Sequence, residues 1–212
     1  MNRLFTLDNP VSRFLERVFD LIYLNILCLV CCIPIITIGS SVTALYYCMI
    51  KIKRERDSYI TKMFFQSFKT NLKQGILMTI LFIGLAVFLL FDIHICNSFN
   101  LAYKEYIKVA LYILLEIFAI VISYAFPILA QFDSTIRQNL KISLIMAIGN
   151  LGCTIFIVVL NALPFVLYLF FTEIFWTTFP IWITLGFSFI AMVNTQMFVK
   201  IFAKYIPENE EW

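Results

Sequence analysis

The sequence predicts an all-α fold, a polytopic transmembrane helical bundle, on the evidence of its composition and of its long apolar runs. Of its 212 residues, 62% are hydrophobic and only 14% are charged, which is far more apolar than an ordinary soluble domain. A chain of this length has room for about five to six membrane helices joined by short connections. We therefore expect one integral membrane domain over residues 1–212, embedded in a lipid bilayer.

The first apolar run, residues 21–50, carries no formal charge and is interrupted by Pro34 and Gly39. As one straight helix it would be about 45 Å long, whereas the hydrocarbon core of a bilayer is about 30 Å thick. The alternative is a broken first hairpin, with arms at 11–33 and 41–56 and a bend at Pro34 to Gly39. One pass and a hairpin are both compatible with this apolar pattern.

The distribution of basic residues favours the hairpin. A hairpin places 14 of the 16 Lys and Arg on one side of the membrane and 2 on the other, whereas a single pass gives 11 against 5. Basic residues concentrate in the cytoplasmic loops of membrane proteins. The pattern therefore predicts that both the N and the C terminus are cytoplasmic.

A dense basic run, here called the collar, follows the first apolar run. Its basic residues are Lys51, Lys53, Arg54 and Arg56. Such a run beside a membrane helix fixes orientation and attracts acidic partners or anionic lipid. We expect the collar to form a docking surface on the cytoplasmic side, with a pure topology signal as the alternative.

The segment from 59 to 73 has the pattern of an amphipathic helix. One face is apolar and the opposite face is polar, with Lys62, Gln66, Lys69 and Lys73 on the polar side. We predict that this helix lies in the cytoplasmic-side interface. It is either a lead-in to the next span or, together with the collar, a docking element in which Phe64, Phe65 and Phe68 anchor in lipid or contact a partner.

Further spans are predicted at 74–91, 109–132, 142–168 and 180–199, and the third of these four lies after a polar turn at 133–141. Glu116 lies within the span at 109–132, about 12 Å in from Lys108. An ionised acid at that depth is costly unless it is paired or near water. We predict that Glu116 faces the bundle interior, on the same helix face as Ser123. Snorkelling to the outer interface, or a neutral and hydrogen-bonded state, is the alternative.

Metal and catalytic motifs are weak in this chain. Cys28, Cys31 and Cys32 share one helix face, but no His, Asp or further Cys is near enough in sequence to complete a metal site, so small apolar core residues are the better interpretation. His94 is the only histidine, which excludes sites built on several imidazoles. No phosphate-binding loop, zinc-protease motif, nucleophile elbow or dinucleotide fingerprint is present. We expect no cofactor, no nucleic-acid binding and no enzymatic activity.

Several motifs spread along the chain resemble one family of bacterial integral membrane proteins, the YesL family, which is grouped under a domain of unknown function. The motifs are Phe14, Asp20 with Leu21, residues 34–39, residues 43–47, residues 64–68 with Asn71 and Gln74, and residues 126–132. The resemblance implies the bacterial cell membrane and a role in carbohydrate uptake beside sugar-transporter subunits. It carries no catalytic residues, because none is established for the family.

Three functional hypotheses follow from the residues and the resemblance. The first is an accessory membrane component of carbohydrate uptake or utilisation. The second is a small secondary transporter, which the broken helices and Glu116 favour. The third is an intramembrane enzyme, and its weakness is that the polar groups of the spans do not converge in sequence.

Overall fold

A computed structural model describes residues 10–54, 59–98 and 103–205, and within these ranges it contains helices and no strand. The helices are α1 (Pro10–Cys32), α2 (Ile38–Arg54), α3 (Ile60–Thr70), α4 (Leu72–Ser98), α5 (Lys104–Gln131), α6 (Ile136–Gly149), α7 (Leu151–Phe170), α8 (Thr172–Ile181) and α9 (Phe187–Phe202). A 3₁₀ turn, Ile35–Thr37, precedes α2, and a π-helical turn, Trp182–Gly186, joins α8 to α9. The all-α prediction is confirmed.

Five helical segments of the described chain are long and apolar enough to cross a membrane. They are Ile35–Lys53, Leu72–Ser98, Lys104–Gln131, Leu151–Phe170 and Thr172–Phe202. Helix α1 is not among them, and its first half carries Glu16, Arg17 and Asp20. The chain is therefore an integral membrane protein by the length and composition of its helices, within the predicted range of about five to six.

The first apolar run forms parts of two helices, α1 and α2, which pack antiparallel to each other. Leu21 and Leu24 of α1 line the same cleft as Met49 and Lys53 of α2, so the middle of α1 lies beside the end of α2. Helix α1 ends at Cys32, because a proline at 34 disfavours helical geometry in the residue before it. The prediction of a bend is confirmed at residues 33–37, whereas Gly39 lies inside α2.

Helix α2 occupies the centre of the fold, and α3 with the first turns of α4 runs antiparallel along it. The Cys48 thiol of α2 lies 4.0 Å from the carbonyl oxygen of Ile60, and the Ser40 hydroxyl donates to the carbonyl of Leu72 at 3.2 Å. Helices α5 and α9 also pack on α2. The ring of Phe198 from α9 meets Tyr46 and Tyr124 edge-on, at centroid distances of 5.8 and 5.1 Å.

Large apolar side chains cover the outer surface of the membrane helices. Phe88, Tyr112, Val159 and Phe165 are each more than half exposed. A bilayer is as apolar as a leucine side chain, so such residues have no need of a protein partner. The protein core is therefore concentrated around α2, while long parts of α4, α5 and α7 present an apolar surface.

Several predicted boundaries are wrong. The helix predicted at 59–73 ends at Thr70, and α4 begins at Leu72. Residues 92–98 continue α4, although the predicted span ended at residue 91. The predicted span at 142–168 is two helices, α6 and α7, which separate at Asn150. The Asn150 amide donates to the carbonyl of Met146 at 3.1 Å, so the side chain competes with the backbone at the helix end.

Candidate functional site

Helix α3 uses its apolar face to pack on the core, and this leaves its polar face at the surface. Phe64 is fully buried, and the ring of Phe68 stacks nearly parallel to it at a centroid distance of 6.3 Å. The Tyr23 hydroxyl of α1 and the Thr61 hydroxyl of α3 are hydrogen-bonded at 2.9 Å. The amphipathic pattern is therefore confirmed, but the prediction that Phe64 anchors in lipid or contacts a partner is wrong. Phe68 is also partly buried against the same core.

The exposed face of α3 combines two cations with an aromatic ring. We call it the α3 platform and define it as Lys62, Phe65, Gln66 and Lys69, all of which are exposed. The Phe65 ring meets the buried Phe64 ring edge-on at 5.8 Å. The platform is therefore fixed to the core through the helix that carries it.

The two collar lysines with described side chains do not share one surface. The Lys51 ammonium lies over the Tyr47 ring, 5.7 Å from its centroid, whereas Lys53 is exposed at the mouth of the cleft between α1, α2 and α9. Arg56 and the side chain of Arg54 lie outside the described residues. Lys51 and Lys53 contact different parts of the fold, and the expectation that the collar forms a docking surface stays a prediction.

Pro34 and Gly39, both predicted to matter, have different structural roles. Pro34 is exposed at the bend, and its carbonyl accepts hydrogen bonds from the backbone and the hydroxyl of Thr37. Gly39 is buried where α2 crosses α4, and its N–H donates to the Thr79 hydroxyl at 2.9 Å. A Cβ at Gly39 would lie 2.6 Å from the Gly75 carbonyl oxygen, so glycine permits the close approach of the two helices.

Glu116 is exposed on α5, so the prediction that it faces the bundle interior is wrong. Its carboxylate makes no hydrogen bond or ion pair with any residue that the structure describes. Ser123, two turns away on the same helix face, does reach another helix. Glu116 is exposed because the buried part of α5 is residues 124–130, which lie beyond Glu116 in the chain.

A partly buried polar network connects α2, α5, α7 and α9. The Asn161 amide donates to the Ser123 hydroxyl at 3.1 Å, and the Asn194 amide donates to the Asn161 carbonyl oxygen at 2.8 Å and to the Tyr46 hydroxyl at 3.3 Å. Asn161 and Asn194 thus bond to each other and not to Glu116, and among the described atoms the buried Asn194 Oδ1 has no partner. Hydrogen bonds of this kind hold membrane helices together.

Asn25 is a structural residue that the sequence analysis missed. It is fully buried on α1, its amide donates to the carbonyls of Ile183 at 2.5 Å and Trp182 at 3.4 Å, and its Oδ1 accepts from the N–H of Ser188 at 2.9 Å. A π-helical turn leaves backbone groups without their α-helical partners, and Asn25 satisfies them. Its only sequence signal was a polar residue inside an uncharged apolar run.

The cysteines are free and are placed in apolar surroundings. The sulfur atoms of Cys28 and Cys32 are 4.0 Å apart on one helix face, and Cys96 is buried near the end of α4. Within the described ranges no group of three or more His, Cys, Asp or Glu residues could hold a metal ion. His94 is exposed.

The comparisons with known proteins bear on the stretch around α2. Residues 21–93, which run from α1 through most of α4, match the family model described as "Protein of unknown function, DUF624". The chain is also similar to "Uncharacterized protein YesL" of Bacillus subtilis (strain 168), with 25% identity over 162 residues, which cover 73% of this chain and 75% of that protein. No solved structure matches the chain. The resemblance to the YesL family is confirmed. The residues that match the family model include the crossing of α2 and α4.

Proposed function

We propose that this YesL-like chain is a non-catalytic accessory component of carbohydrate uptake in the bacterial cell membrane. The α3 platform binds an acidic surface of a sugar-transporter subunit on the cytoplasmic side. The observation that carries the proposal is the orientation of α3, whose aromatic residue Phe64 is buried while Lys62, Phe65 and Lys69 are exposed.

The platform has the properties of a binding surface. Its helix is already fixed to α2, so little conformational entropy is lost when a partner binds. Phe65 supplies a large apolar contact, a residue type enriched at interfaces, and two lysines favour an acidic partner. Lys62 and Lys69 lie on the exposed face of α3, remote from α2. A partner can therefore contact them while α3 stays packed on the core.

The resemblance to the YesL family supports carbohydrate uptake as the context. The transporter hypothesis rested on the broken helices and on Glu116, and Glu116 is exposed and does not lie inside the bundle. The enzyme hypothesis required polar groups that converge on a reaction centre. The converging groups of the membrane helices are amides and hydroxyls that bond to one another, as Asn161 and Asn194 do, which is typical of helix packing.

Site-specific photocrosslinking in native membranes tests the proposal. A photoreactive phenylalanine analogue replaces Phe65, and the matched control carries the same analogue at Phe88, which is exposed on the membrane-spanning helix α4. We expect the Phe65 position to give a crosslinked product that mass spectrometry identifies as a sugar-transporter subunit, and the Phe88 position to lack it. The same products from both positions, or no transporter subunit at Phe65, would contradict the proposal.

Charge reversal gives a second readout. Lys62→Glu with Lys69→Glu places like charges against an acidic partner, so the Phe65 crosslink is expected to disappear. Lys200→Glu is the control, because Lys200 is also an exposed lysine and lies near the end of α9. Equal crosslink yields in the two variants would show that the platform charges do not select the partner.

A further inference from the structure

A cleft of about 280 Å³ opens between the middle of α1, the end of α2 and the middle of α9. Its floor is apolar, and Leu21, Leu24 and Met49 on it are buried. Its mouth is polar, with Arg17 and Lys53 exposed and Asp20 half-buried. The cleft is therefore amphipathic from mouth to floor, and none of its residues belongs to the α3 platform.

The charges at the mouth are available to a ligand. Within the described part of the chain, Arg17 and Lys53 make no ion pair. Asp20 lies before the uncharged run. The pKa of its carboxyl is raised, mainly by burial and to a smaller extent by the nearby Glu16 charge. Two cations and one acid line the mouth, and the exposed Glu16 near Asp20 lies outside this lining.

We infer that this cleft binds an anionic phospholipid from the membrane that surrounds the protein. The phosphate lies between Arg17 and Lys53, and the first carbons of an acyl chain lie on the floor of Leu21 and Met49. Hydroxyl groups of a glycerol headgroup donate to Asp20. Basic pockets between membrane helices recognise acidic headgroups by this combination of charge and apolar surface.

The size of the cleft agrees with part of a lipid. A cleft of about 280 Å³ has room for a small headgroup such as phosphoglycerol. A complete lipid is much larger, so its acyl chains extend out of the cleft along the apolar protein surface. The ligand class that fits is thus an amphiphile with one negative charge and a small hydroxylated headgroup.

Binding of phosphatidylglycerol to the full-length purified protein in detergent tests the inference. Retained lipid is counted by native mass spectrometry, and affinity is obtained by titration, with phosphatidylcholine as the neutral comparison. Arg17→Gln with Lys53→Gln is expected to weaken phosphatidylglycerol binding by about 30-fold, since it removes two interfacial cations. Both residues are exposed, and size-exclusion chromatography verifies that the variant is folded.

The control variant is Lys62→Gln with Lys69→Gln, which removes two exposed cations outside the cleft. We expect it to bind phosphatidylglycerol as the wild type does, whatever the outcome of the crosslinking at Phe65. Equal binding of phosphatidylcholine, or equal losses in both double variants, would overturn the inference. Soluble glycerol phosphate is the last ligand tested. If it binds as tightly as the lipid, the apolar floor takes no part in binding and the inference is overturned.

Discussion

The crossing of α2 and α4 at Gly75 provides the sharpest test of the packing described above. In a Gly75→Ala variant the new Cβ would lie 2.7 Å from the backbone nitrogen and 2.8 Å from the Cα of Ser40. An ordinary contact is 3.4–4 Å, so the two helices would have to separate by about 0.6 Å or more, with a loss of dispersion contacts along the crossing. Overpacking of this kind costs about 1–3 kcal/mol.

Gly84 on the same helix is the matched control, because a Cβ at Gly84 meets no atom within 4 Å. Both Gly→Ala changes gain about 0.8–1 kcal/mol of helix propensity, so the difference between the two variants isolates the cost of overpacking. At about 2 kcal/mol, that difference predicts a Tm about 4–8 °C lower for Gly75→Ala than for Gly84→Ala.

The assay is thermal unfolding of both purified variants in the same detergent, followed by a thiol-reactive fluorophore that reports the buried cysteines. Cys48, which is fully buried on α2, becomes reactive only when the core opens. Midpoints that agree within about 1 °C would refute the close approach of α2 and α4 at this position, since that approach alone distinguishes the two glycines.

Three further changes test other parts of the fold. Asn25→Leu removes three hydrogen bonds to the π-helical turn and is expected to cost about 2–3 kcal/mol; in the same thermal assay, an unchanged midpoint would show that the turn does not need them. Glu116→Gln is expected to cause no loss of stability, because the exposed carboxylate has no described partner; a decrease above about 1 kcal/mol would indicate an interaction that the described residues do not contain. Reporter fusions at the two ends should place both in the cytoplasm; an N-terminal fusion active only outside would instead favour five crossings.

The outcome for α3 shows how far a local pattern can be trusted. The apolar and polar faces of residues 59–73 were assigned correctly, since Phe64 is buried while Lys62 and Lys69 are exposed. What covers the apolar face was open, because an apolar helix face is satisfied either by lipid or by another helix. Only the fold decided that α2 covers it.

Glu116 and Asn25 show what a local sequence pattern could not predict. An acid in an apolar run indicates a group that needs water or a partner, but helical spacing could not tell which side of α5 meets another helix. An amide in an apolar run gives a weaker signal, yet Asn25 is fully buried and bonds to residues more than 150 positions away. Both placements depend on how distant helices pack.

The sequence by itself determined the membrane class, the helical fold and the break at Pro34, because these follow from hydropathy, helix length and backbone chemistry within a short window. It also determined which residues of α3 share a face. The tertiary structure decided that α2 is the centre of the fold, that Gly39 and Gly75 form its crossing with α4, and that Glu116 lies outside the packed core. In a bilayer, lipid tails and leucine side chains are equally apolar, so hydrophobicity cannot distinguish a helix face that meets lipid from one that meets protein. That distinction depends on shape and on hydrogen bonds between residues far apart in the chain.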